Sequence, residues 1–116
     1  MNVSDLVNEF AACVSAQSES IDKGDPNAGN QFAKRYVAAF EQLRAQGNVG
    51  RDALAILLDD RRPDVRVMAA TFLLRHCGDR AIHVLKNEAG SIGVVSFGAS
   101  QALQRWHEGT WALDLE

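Results

Sequence analysis

The sequence predicts an all-α fold of about six helices in antiparallel pairs. Three observations lead there. Apolar residues recur at a 3.6-residue period over most of the chain. Gly, Pro, Asp and Asn clusters interrupt that period at short intervals, as helix stops do. A segment of the second half is echoed thirty residues later. With 116 residues, 47% hydrophobic and 23% charged, the chain suits one domain and one modest core. Residues 1–116 read as a single domain, with two longer helices in 1–48 and two short helix pairs in 51–108.

The first helix carries Val3, Leu6, Val7, Phe10, Ala11, Val14 and Ile21 on one stripe. Ser4 is the expected N-cap, with Asp5 beside the positive helix end. Lys23-Gly24-Asp25-Pro26-Asn27 stops the helix. A second helix runs from about Ala28 to Gln46, striped by Phe32, Ala33, Tyr36, Val37, Phe40 and Leu43. Gly47, Asn48 and Gly50 read as its C-terminal stop. Arg51 to Leu58 forms a third helix, bearing Leu54, Ile56, Leu57 and Leu58. The turn from Asp59 to Arg62 leads to Pro63, well placed at a first helical position.

The helix from Pro63 to Arg75 is apolar on two faces. Val65, Ala69, Phe72 and His76 form one line, and Val67, Ala70 and Leu74 a second. Such a helix needs neighbours on both sides. Asp79 opens the next helix, with Ile82, Leu85 and Ala89 inward. After Gly90-Ser91-Ile92-Gly93, the last helix carries Val95, Ala99, Ala102 and Trp106 as its inner line and ends at Gly109. Val94-Val95-Ser96-Phe97 could open a strand, but Ala99, Ala102 and Leu103 continue a helical period.

Val65, Ala69, Leu73 and His76 recur thirty residues on as Val95, Ala99, Leu103 and Trp106. Leu57-Leu58 likewise matches Val84-Leu85. Small alanines at matched positions let helices approach closely, so each pair covers the apolar face of its neighbour. The run Leu57-Leu58-Asp59-Asp60, then Pro63-Asp64-Val65-Arg66-Val67-Met68-Ala69-Ala70 and Leu73-Leu74, resembles a HEAT-type repeat over residues 51–106. The resemblance implies a HEAT-like α-α superhelix fragment. The second unit departs from it, since Ser96 stands where Arg66 would recur and Gly93 replaces the Asp-Pro turn. Nearly the whole chain further resembles a small bacterial domain-of-unknown-function family, DUF twenty-nineteen. Its features here are two N-terminal helices, the Val-Arg and Ala-Ala unit, and the ending Gly93-Val94-Val95-Ser96-Phe97, Leu103, Trp106, Gly109. That resemblance implies a bacterial protein and no known catalytic residue.

The formal charge of −3 is unevenly spread. Residues 1–30 carry −4, residues 31–60 balance, residues 61–90 carry +3, and the rest carry −2. An acidic front disfavours bulk nucleic-acid binding, which rests on neutralising phosphates. Two cysteines, Cys13 and Cys77, fit a reduced cytoplasmic chain better than a disulfide scaffold. The start, Met1-Asn2-Val3-Ser4-Asp5, lacks the basic and apolar regions of a secretion signal, and no run is long enough to span a bilayer.

The candidate chemistries each weigh less than a structural explanation. His76 and Cys77 are adjacent and diverge by about 100° on a helix, so with His83 and His107 they make a poor zinc set. Gly90 to Gly98 lacks the lysine of a phosphate loop and the spacing of a nucleophile elbow. Asp59, Asp60 and Asp64 share one turn and read as helix caps and arginine partners rather than an acid–base pair. Arg66 lies on a half-buried face, so a bridge to Asp59 or Asp60 is expected. Arg61 and Arg62 stand about 15–20 Å from Arg75 and Arg80 along the helix axis. Trp106 reads as core; Trp111 either folds back as a lid or lies at an interface.

The expectation is therefore a non-enzymatic protein-interaction module with no cofactor, no metal and no membrane partner. Another protein is the expected partner, a toxin in an immunity-type version, and an open apolar end admits a homodimer. The candidate interaction surface is Arg61, Arg62, Arg66 and Trp111. The alternative is a small-anion or nucleic-acid binder through the first three.

Overall fold

Asn2 rather than Ser4 starts the first helix, because its side-chain oxygen accepts the Asp5 amide at 2.8 Å. The structure, a computed structural model, describes residues 1–114. Its six α-helices are α1 (Val3–Asp22), α2 (Pro26–Ala45), α3 (Asn48–Leu54), α4 (Pro63–Phe72), α5 (Gly78–Ala89) and α6 (Val94–Glu108). A 3₁₀-helix, Ala55–Asp59, follows α3. No strand occurs among the described residues. The chain falls into two compact units, Met1–Leu54 and a second from Ala55 onward.

In the first unit α1 lies against α2 and both meet α3. Leu6, Val7, Phe10, Cys13 and Val14 are buried on α1, and Tyr36, Ala39, Phe40 and Leu43 on α2. Ile21 and Val37, expected on the same stripes, are exposed. Phe10 and Tyr36 meet edge to face at 5.5 Å, and the Tyr36 hydroxyl donates to Gln17 Oε1 at 3.1 Å. Asp25 caps α2 by accepting the Ala28 amide, with Pro26 in the first turn.

The expected stop at Gly47, Asn48 and Gly50 is only partly a stop. Gly47, with φ of +71°, makes the turn, but Asn48 and Gly50 already belong to α3. Gly50 serves close approach instead. A Cβ there would sit 1.8 Å from the Leu43 carbonyl oxygen.

The third helix was expected to run to Leu58, yet the α-helix ends at Leu54 and the chain tightens to 3₁₀. Within the 3₁₀-helix a three-residue period puts Ala55 and Leu58 on one line, and both are buried with Leu57 while Ile56 is exposed.

In the second unit α4 meets the 3₁₀-helix, α5 and α6, and α5 meets α6. Val65, Val67, Ala69, Ala70 and Phe72 are buried on α4, so it is covered on two faces as expected. The helix stops at Phe72 rather than Arg75. The Leu73 amide bonds to the Ala69 and Ala70 carbonyls, and the His76 and Cys77 amides both return to the Leu73 carbonyl. These tight turns leave adjacent Leu73 and Leu74 both buried. On α5 Ala81 and Leu85 are buried, with Ile82 only half-buried. On α6 Ala99 and Ala102 are buried, Val95 and Trp106 half-buried. Ser96 is buried where the repeat would place an arginine, and its hydroxyl donates to the Ala89 carbonyl at 3.0 Å.

Candidate interaction surface

Pro63 and the Asp59–Arg62 turn place three of the four sequence-predicted residues at the N-terminal end of α4. Arg62 grips Asp64 through both carboxylate oxygens at 3.0 and 2.9 Å, and its amide donates to Asp60 Oδ2. Arg66 is half-buried. Its Nη1 donates to the Asp60 and Arg61 carbonyls at 2.8 and 3.2 Å, and its Nη2 to Glu88 Oε1 on α5 at 2.5 Å. The expected bridge to the Asp59 or Asp60 carboxylate is therefore replaced. Asp60 offers its carbonyl, and the acid comes from 22 residues away. Asp59 instead lies 3.9 Å from Arg80 in an exposed pair. Arg61 is exposed, and no carboxylate among the described residues meets its guanidinium. Bidentate and multiply bonded arginines are held in fixed geometry, so Arg62 first fixes the turn into α4 and Arg66 first ties that turn to α5.

Trp111 is brought to a different place. Gly109, at φ of +76°, lets the Gly109 amide reach the Trp106 carbonyl and the Thr110 amide the Arg105 carbonyl. This Schellman arrangement reverses the chain. Trp111 then folds back, its indole N–H donating to the Thr71 carbonyl at the end of α4 at 2.7 Å. Its ring meets Trp106 edge to face at 5.3 Å. Asp114 completes the strap: it is 2% exposed and accepts from Arg75 Nη2 at 3.1 Å. Trp111 thus folds back on the body and stays half-buried.

The strap closes one end of a groove of about 500 Å³. Val67, Met68 and Thr71 of α4 form one side, and Phe97, Gly98, Gln101, Ala102 and Arg105 of α6 the other. Thr110 to Leu113 supply the end wall. A smaller hollow of about 260 Å³ lies between Leu58, Asp59, Asp79, Arg80, His83 and Val84. No cluster of three or more His, Cys, Asp or Glu side chains suited to a metal occurs among the described residues. No helix among them is long and apolar enough to cross a membrane.

Sequence reasoning missed the groove residues Phe97, Gln101 and Arg105, although their spacing of four was available as a second stripe on α6. It also missed the Arg75–Asp114 pair, for which a 39-residue separation leaves no local signal. Compared with known proteins, the chain matches no family model, no curated protein and no solved structure.

Proposed function

We propose that the chain is a non-enzymatic protein-interaction module, with a HEAT-like stack of helices as its frame. The carrying observation is the row at the start of α6. Ile92 is 100% exposed, Val94 77% and Phe97 67%. Three large apolar side chains within six residues, left to solvent beside a groove, are the sort of surface a protein partner covers. The small-residue lines Val65–Ala69 on α4 and Val95–Ala99 on α6 support the repeat frame. A toxin-neutralising partner is one specific form of this reading. Affinity capture from native lysate, followed by cross-linking, tests it. A partner retained by the natural chain and lost with Val94→Ser/Phe97→Ser is expected. Equal retention by both, or no partner even after cross-linking, counts against the reading. Light scattering of the same pair shows whether a second copy is the partner.

A further inference from the structure

We propose that the groove between α4, α6 and the strap binds a small amphipathic anion: an elongated molecule with an apolar body and one carboxylate. Its tail rests on Phe97 and its carboxylate on Arg105. The inference goes beyond the interaction reading and stands without it, because no partner protein enters.

The groove's volume of about 500 Å³ is that of a small-molecule site, and such sites combine apolar walls with a few placed polar groups. Phe97, Gln101 and Arg105 follow one another at intervals of four on α6. They therefore make a ladder about 12 Å long, at 1.5 Å per residue. The ladder is polarised: an exposed aromatic ring at one end, an amide in the middle, a guanidinium at the other. Buried Val67 and Ala102 lie beneath it, and Met68 opposite offers an adaptable apolar wall.

Charge decides the ligand. Arg35, Arg62, Arg66, Arg75 and Arg80 each meet a carboxylate. Arg105 lines the groove, is exposed, and meets none among the described residues. A guanidinium is built for two parallel hydrogen bonds to a carboxylate, and Gln101 one turn away adds an amide donor. A neutral or cationic amphiphile would satisfy Phe97 and leave Arg105 unanswered. Space is available between the two ends, since a Cβ built on Gly98 meets nothing within 4 Å.

Trp106 and Trp111 are the only tryptophans; Trp111 of the strap lines the groove and Trp106 of α6 meets Trp111 edge to face, so intrinsic fluorescence reports on this groove. The full chain is titrated with decanoate below its micelle-forming concentration, with decanol and decyltrimethylammonium as comparisons. Decanoate is expected to give a saturable change, and each comparison compound at least about tenfold weaker binding, the scale of one charge-assisted pair. Arg105→Gln should weaken decanoate by a similar factor. Gly98→Leu should abolish binding by filling the groove, with an equal or higher melting temperature because it replaces a helical glycine. Decanol or the cation binding as tightly as decanoate, an Arg105→Gln chain binding like the natural one, or a folded Gly98→Leu chain that still binds would each overturn the proposal.

Discussion

Gly50 and Leu43 touch backbone to backbone, and no side chain longer than hydrogen fits between them. Gly50→Ala puts a methyl group 1.8 Å from the Leu43 carbonyl oxygen, and backbone on both sides can yield little. The expected loss is about 3 kcal/mol, read as a fall in the urea midpoint. Cys13 and Tyr36 belong to the same core. Burial pushes the Cys13 thiol above its ordinary value of 9.0, Glu9 adds to this and Arg35 opposes it. Burial also raises the Tyr36 phenol above 10.0. Both groups are neutral when protonated, so the folded chain holds its protons to higher pH than the unfolded one. Their stabilising effect is complete at neutral pH and is lost as pH rises from about 9 through the folded-state values. Urea midpoints measured across that range should fall for the natural chain and fall less steeply for Cys13→Ala. Parallel slopes would exclude Cys13 as a contributor.

The strap from Gly109 to Asp114 is the element whose placement depends most on long-range partners. Three different attachments hold it: the reversal at Gly109, the Trp111 indole on the Thr71 carbonyl, and Asp114 on Arg75. Asp114→Asn leaves Arg75 without its charge partner and should cost on the order of 2 kcal/mol, less than a fully buried pair because Arg75 is partly exposed. Trp111→Phe removes one hydrogen bond to a backbone carbonyl and should cost about 1–2 kcal/mol. In Asp114→Asn the tryptophan emission should move to the red as Trp111 meets water. An unchanged spectrum and midpoint would show that the pair holds nothing in place. Helix existence was legible at this scale, because Leu6, Phe10 and Val14, or Val65, Ala69 and Phe72, repeat at the period they bury. Helix ends were less so. Leu57-Leu58 and Leu73-Leu74 look like continuing helix, yet burying adjacent leucines favours tighter turns over a further α-turn.

For the whole molecule, composition and periodicity already imply a helical far-UV spectrum with no sheet component, and a spectrum rich in sheet would contradict every element described. Charge carries a second expectation. The chain is −3 overall, and Arg62 and Arg66 are occupied by Asp64 and Glu88. Binding to a mixed-sequence duplex should therefore be absent even at low salt, where phosphate contacts are strongest. Tight, salt-sensitive binding in a gel-shift titration would reverse that reading.

The sequence by itself determined the helical class, most of the apolar faces and the turn chemistry, since periodicity, proline placement and glycine at a left-handed cap act within a few residues. Only the tertiary structure decided which acid answers Arg66, that Trp111 folds back on α4, and that Arg105 lines a groove to which no described residue brings a carboxylate. Those outcomes join residues 22 to 40 positions apart, or depend on what is missing nearby. A local pattern registers neither, because its energy is set by neighbours that the chain supplies only once it has folded.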